Sequence, residues 1–155
     1  MMKRIILIPL LFTIAFFSCS GPDNVYEQHR YFSNGWKRFN KLTFEVPVEE
    51  PSQRYDILFS FVHTPEYQYD NIPVHIILNT PGGEERMNKF NLPVRDKSGK
   101  YTGTQAGDSI QMQAVLWPEF IFGETGKAKI SVEQIIPKFR TPHIKSAGIL
   151  IKESE

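Results

Sequence analysis

Between Leu42 and Phe61 the chain repeats with a period of two, and that pattern constrains its fold more than any other feature. In Leu42-Thr43-Phe44-Glu45-Val46-Pro47-Val48 every second side chain is apolar. Such alternation sends one set of side chains to a core and the other to water, which is the geometry of a half-buried strand and not of a helix. After Glu49-Glu50-Pro51-Ser52, the stretch Arg54 to His63 carries Tyr55, Ile57, Phe59 and Phe61 on one face and Leu58 and Val62 on the other. A strand with apolar residues on both faces is expected in the interior of a sheet.

The rest of the chain follows the same pattern. Val25 to Phe32 mixes aromatics with charges and reads as a first strand, closed by the turn dipeptide Asn34-Gly35. Ile72 to Leu78 leads into Asn79-Thr80-Pro81-Gly82-Gly83, a hairpin-type connection. Met87, Phe90 and Leu92 mark a less regular strand ending at Pro93. Asp96 to Lys100 is a turn and Tyr101 to Gly107 reads as loop. Ile110, Met112, Ala114 and Leu116 alternate again, with Trp117-Pro118 predicted to end that strand. Ala128, Ile130 and Val132 share a face, and Ala147 to Ile151 forms a last strand. No window of helical length has apolar residues at three-four spacing, and Pro137 and Pro142 exclude a long helix between them. Eight or nine strands with frequent turns predict an all-β fold, a single antiparallel β-sandwich of jelly-roll-like type.

The N-terminus carries different information. Lys3 and Arg4 precede an uncharged apolar run, Ile5 to Phe17, too short for a permanent membrane span but right for an export signal. Ser18 and then Cys19, the only cysteine, follow directly. This is the layout of a bacterial lipoprotein signal. Cleavage is expected between Ser18 and Cys19, and the Cys19 thiol is expected to carry a diacylglycerol group that inserts into the lipid bilayer. The domain reading is therefore a signal peptide over 1–18, a lipidated cysteine and tether over 19–24, and the sandwich over 25–155. Lys3 and Arg4 leave with the signal, so 18 basic residues become 16 against 17 acidic ones. A near-neutral chain without a basic run argues against nucleic acid as a partner. With no second cysteine, an exported domain of this kind must draw its stability from its core.

Residues that carry chemistry are present without forming a recognisable constellation. His29, His63, His75 and His143 show no metal-ligand spacing; His63 and His75 flank one connection, yet spacing alone specifies no site. There is no Gly-x-Ser-x-Gly elbow for a nucleophile. Glu49-Glu50 and Glu84-Glu85 sit at loop edges, where solvated charge is the default. Asp70, Asn71, Asp96 and Asp108 are hard oxygen donors but do not recur at alternate positions of one loop, as a calcium loop requires. The reading is a non-enzyme with no catalytic residue, no metal and no cofactor beyond the covalent lipid on Cys19.

Aromatic residues remain as the material for recognition. Trp36, Tyr67, Tyr69, Tyr101, Trp117 and Phe120 fall at predicted strand ends or loops. Core packing is the commoner fate of such rings, but exposed rings serve as interface anchors or sugar platforms. The loop Tyr67-Gln68-Tyr69-Asp70-Asn71 is the candidate partner-binding segment. A glycan-binding lipoprotein using Tyr67, Tyr69 or Trp117 is the alternative reading.

The order of segments also carries a resemblance. A lipobox is followed by an aromatic strand, Trp36 and Phe44, the Tyr55-Asp56-Ile57 strand, and the loop Tyr67 to Ile72. Asp96-Lys97-Ser98-Gly99-Lys100-Tyr101-Thr102-Gly103 and a terminal Gly148-Ile149-Leu150-Ile151 complete the series. This resembles the GldH family of gliding motility lipoproteins of Bacteroidetes over essentially the whole chain. The Tyr67 to Ile72 loop, which matches a Tyr-Pro-Tyr-x-Asn-Leu-like signature, is the most specific part. Where the family usually has an arginine near the end of the preceding strand, this chain has His63. The resemblance implies a noncatalytic envelope lipoprotein. Its expected partners are other gliding and type IX secretion envelope proteins. Ser20 after the cysteine and the lone acid Asp23 favour the periplasmic face of the outer membrane, with the cell surface as the alternative.

Overall fold

The computed structural model describes residues 24–155. The signal over 1–18, the cleavage pair Ser18 and Cys19, and the tether before residue 24 lie outside the described residues. Eleven strands follow in order: β1 (Asn24–Tyr31), β2 (Trp36–Lys37), β3 (Leu42–Val48), β4 (Tyr55–His63), β5 (Asn71–Asn79), β6 (Glu85–Pro93), β7 (Thr104–Ala106), β8 (Ser109–Phe120), β9 (Gly126–Gln134), β10 (Arg140–Thr141) and β11 (Ile144–Glu153). There is no helix among the described residues, as the period-two pattern requires.

The long strands form two antiparallel sheets, ordered β1-β11-β4-β8-β7 and β3-β9-β5-β6. The pairs β1–β11, β3–β9, β4–β8 and β5–β6 nest inside one another, so the chain is one long ribbon folded back at the β5–β6 hairpin and then wrapped. Successive long strands change sheets everywhere except at that hairpin. This is the double-sheet jelly roll. One apolar cluster fills the space between the sheets, with Phe44, Phe59, Phe61, Ile76 and Ile130 all fully enclosed. Each such side chain contributes roughly 1.5–3 kcal/mol of burial.

Alternation predicted the faces correctly. Leu42, Phe44, Val46 and Val48 are buried, with polar or proline residues between them outward. In β4 only Asp56 and Val62 escape full burial, consistent with its position between β11 and β8. Three features differ from expectation. Strand β8 runs past Trp117-Pro118 to Phe120; Pro118 falls in a register break between the Ile57–Trp117 and Tyr55–Phe120 pairs, where no ladder donor is needed. Residues 104–106, expected as loop, add the short edge strand β7. Trp36–Lys37 and Arg140–Thr141 pair as a separate two-stranded ribbon. Gly148 lets β1 approach β11, because a Cβ there would lie 2.5 Å from the Gln28 carbonyl oxygen.

Candidate functional site

Strand register divides the molecule into two poles. Asn24 pairs with Lys152, Glu153 with Tyr55, and Tyr55 with Phe120, so the start of β1 shares a pole with the β3–β4, β5–β6 and β8–β9 connections. Tyr31 pairs with Ser146, and His63 pairs with both Ile144 and Ile110. The opposite pole therefore collects the β1–β3, β4–β5, β6–β8 and β9–β11 connections, and with them the Tyr67 to Asn71 loop.

That loop is folded inward, which corrects the expectation of a freely displayed aromatic segment. Tyr67 is 1% exposed. Its ring meets Phe61 edge-on at 5.4 Å and lies 5.3 Å from His63 and 5.6 Å from Tyr69. Its hydroxyl donates to the Asn71 carbonyl at 3.1 Å, so the ring ends in a satisfied polar contact inside the core. Burial pushes the Tyr67 phenol well above its ordinary range. Gln68 and Asp70 are exposed, Tyr69 is half-buried, and Asn71 opens β5. Gln68 and Asp70 are thus the members of the predicted site that face solvent.

Arg95 fastens the loop, and no sequence signal pointed to it. Its guanidinium donates to the carbonyls of Tyr67 (2.9 Å) and Tyr69 (3.3 Å), to Asp70 Oδ1 (3.2 Å) and to Tyr101 Oη (3.3 Å), while lying 4.9 Å from the centre of the Tyr101 ring. The backbone amides of Val94 and Arg95 both donate to the Asp70 carbonyl. Tyr101 in turn donates to the Pro65 carbonyl at 3.1 Å. A planar fork of donors suits this arrangement, because one side chain reaches several carbonyls of an irregular segment.

The other expected aromatics are core residues. Trp36, Trp117 and Phe120 are buried, which removes Trp117 along with Tyr67 as an open sugar platform. The exposed rings are ones that strand patterning did not single out: Tyr31 is 80% exposed, Phe39 75% and Phe139 68%. All three line one open groove of about 690 Å³ beside the β2–β10 ribbon. Beneath it Phe32 stacks on the buried Trp36 ring at 5.4 Å, and Trp36 Nε1 donates to the Asn40 carbonyl at 2.9 Å. The Arg38 amide donates to the Phe139 carbonyl at 2.9 Å, tying the two connections together. Lys138, next in sequence to the groove residue Phe139, places its Nζ 5.6 Å from the Tyr69 ring centre.

The titratable groups are engaged separately. His63 is fully buried between the sheets and donates from Nδ1 to the Thr64 carbonyl, whereas His75 lies on the outward-facing positions of β5; the two do not meet. Burial, with a smaller contribution from the Arg95 charge, holds the His63 imidazole below its ordinary pKa against the opposing hydrogen bond to the Thr64 carbonyl. Asp96 accepts from the Ser98 hydroxyl and from the amides of Ser98 and Lys100, so it closes its own turn. Asp108 pairs with Lys145 at 2.9 Å and Asp70 with Arg95. Among the described residues no group of histidines and carboxylates is placed to hold a metal ion.

Comparison with known proteins gives a consistent family. A family model described as GldH lipoprotein matches residues 24–151. A gliding motility lipoprotein GldH homolog from Christiangramia forsetii is 23% identical over 128 residues, covering 83% of this chain and 78% of its own. Among solved structures, a family GH115 4-O-methyl-α-glucuronidase with specificity for decorated arabinogalactans aligns with a TM-score of 0.46 at 11% identity, over 88% of this chain and 18% of its own. TmCBM61 in complex with β-1,4-galactotriose aligns with a TM-score of 0.34 at 18% identity, over 73% of this chain and 58% of its own. The family match begins at the first residue of β1 and runs through every long strand into β11, and the chain belongs to the GldH lipoprotein family.

Proposed function

We propose that this protein is a noncatalytic, lipid-anchored component of the bacterial cell envelope, serving gliding motility or the associated envelope secretion machinery. The observation that carries the reading is the placement of the start of β1. Asn24 opens β1 at the pole away from the Arg95-fastened loop and the exposed aromatic rings. Cys19 lies only five residues before it in sequence. Five residues reach at most about 17 Å. A lipid on Cys19 would therefore hold one pole at the bilayer and present the other to partners. The two or more acyl chains of such an anchor supply ~0.8 kcal/mol per buried methylene, and stable retention needs more than one chain.

The noncatalytic reading draws on the duties the polar side chains already have. His63 is enclosed by aromatic rings, and Asp96 and Asp108 are committed to a turn and to Lys145. The relative's name, gliding motility lipoprotein, supports the role in motility. The periplasmic face of the outer membrane is the proposed location, which protease shaving of intact cells checks by leaving the protein uncut.

The test is Cys19→Ser at the native locus. The variant should fold, leave the membrane fraction and fail to restore gliding or secretion to a deletion strain. Full function of that variant, or a normal envelope phenotype in the deletion strain, refutes the proposal.

A further inference from the structure

We infer that the groove beside the β2–β10 ribbon docks an acidic segment of a partner protein. The inference deepens the envelope-docking role proposed above and rests on it for the direction in which the groove faces. Its first support is charge. Lys37 and Arg140 line the groove, Arg38, Lys41 and Lys138 stand on the same two connections outside its lining, and residues 31–41 and 135–143 contain no aspartate or glutamate. None of the five cations is in an ion pair among the described residues. This is a local excess, since the chain as a whole is close to neutral. Of the acids on the other connections of this pole, Asp70 pairs with Arg95, Asp108 pairs with Lys145, Asp96 closes its own turn and Glu66 is exposed, while Glu49, Glu50, Glu84, Glu124 and Glu155 belong to the other pole. A surface with unpaired cations of one sign attracts and orients a partner segment of the other sign.

The second support is the chemistry of the rings. Tyr31, Phe39 and Phe139 stay exposed although apolar cover is available to most other large side chains of the chain. Each would bury about 150–250 Å² when covered, which is enough for the centre of an interface of roughly 800 Å² per partner. Arg38 lies over the Phe39 ring at 5.6 Å, so cation and ring are presented together. Exposed aromatics beside arginine are the composition of protein interface centres. Two of the three rings are phenylalanine, without a polar edge to bond a sugar hydroxyl. A bilayer carrying the Cys19 anchor would lie at the other pole.

The experiment uses the full-length lipoprotein in its own cells, with a photo-crosslinking amino acid at position 39 or 139 and a control at the exposed Met87 of β6. Conjugated peptides are identified by mass spectrometry. The expected result is conjugation at positions 39 and 139, but not 87, to protein segments of net negative charge. The double charge reversal Lys37→Glu with Arg140→Glu should lower the yield at least about tenfold, equivalent to roughly 1.4 kcal/mol. Neutralisation to glutamine at both positions should lower it less. Conjugates to neutral or basic segments, to polysaccharide alone or to lipid alone overturn the inference, as does an unchanged yield in the charge-reversed variant. Protease resistance of the membrane-bound variants verifies folding. Cys19→Ser separates the two readings: release from the membrane with loss of function upholds the anchor whatever the crosslinks show.

Discussion

Replacing Arg95 by methionine keeps the aliphatic stem and removes the guanidinium, and its cost follows from the contacts. The shortest bond, 2.9 Å to the Tyr67 carbonyl, joins a charged donor to a carbonyl over a buried ring, worth about 1.5–3 kcal/mol. The contacts to Tyr69, Asp70 and Tyr101 are longer, at 3.2–3.3 Å. Asp70 is 76% exposed in its side chain, so the ion pair adds little and these three together contribute about 1 kcal/mol. Stacking on Tyr101 adds about 0.5–1 kcal/mol. The expected loss is therefore about 3–5 kcal/mol. For a domain of this length each kcal/mol moves Tm by about 4 °C, which gives a drop of roughly 12–20 °C. Thermal unfolding of the domain by circular dichroism reads it directly. Amide hydrogen exchange should rise first at residues 67–71. Arg95→Lys should fall between wild type and methionine, because a lysine keeps the charge without the planar fork. A Tm drop below about 4 °C for Arg95→Met would mean that Tyr67 packing alone holds the loop, and the clamp reading would be refuted.

Two further outcomes follow from buried groups. His63 is held neutral in the fold, its pKa below the ordinary value, so the unfolded chain binds more protons once pH falls under about 6.5. The stability tied to this group is complete above that pH, declines as pH drops toward the folded-state pKa, and then levels off, with a slope of at most ~1.4 kcal/mol per pH unit. Unfolding measured at pH 7.5 and pH 5 should show a smaller acid loss in His63→Phe than in wild type; parallel losses would dismiss the idea. Gly148→Ala places a Cβ 2.5 Å from the Gln28 carbonyl and 2.7 Å from His29 Nδ1, which forces β1 away from β11. A loss of about 1–3 kcal/mol and faster amide exchange confined to β1 are expected, whereas wild-type exchange in β1 would show that the sheet absorbs the methyl group.

The parts of this fold that were legible are those governed by local periodicity. In β3 and β5 a side chain's direction depends only on its place in the alternation, and burial follows it residue by residue. The loops obey no such rule. Tyr67 falls in a loop between Pro65 and Asp70, where no periodicity gives its direction, and its carbonyl is held by Arg95, which approaches from another connection. Phe39 and Phe139 looked unremarkable because nothing nearby in sequence exposes them. Their display depends on Trp36 pairing with Thr141 across the molecule, and that pairing has no local signature. Pro118 misled for a similar reason: proline usually stops a strand, but a register break opposite β4 leaves its missing donor without consequence. The candidate segment therefore lies at the same pole as the exposed rings, while which side chains are exposed there had to come from the tertiary structure.

Strand β1 connects the two ends of the functional reading in a single element. It begins at Asn24, beside the proposed anchor, and ends at Tyr31, which lines the cationic groove. Seven steps of about 3.4 Å separate these residues by roughly 24 Å, more than the tether can span. With Cys19 lipidated as proposed, the domain would have to lie on its side for the groove to touch the anchoring leaflet; upright, the groove would face away from it. Along that length β1 is paired with β11, and β11 with the central strand β4, so a pull between a partner docked as proposed and a lipid on Cys19 would run along the β1 backbone and into the sheet through ladder hydrogen bonds. In an antiparallel pair loaded along the strands, those bonds share the load in shear. An envelope protein that must hold two structures at a fixed separation needs that geometry, with anchor and partner site on opposite ends of one paired strand.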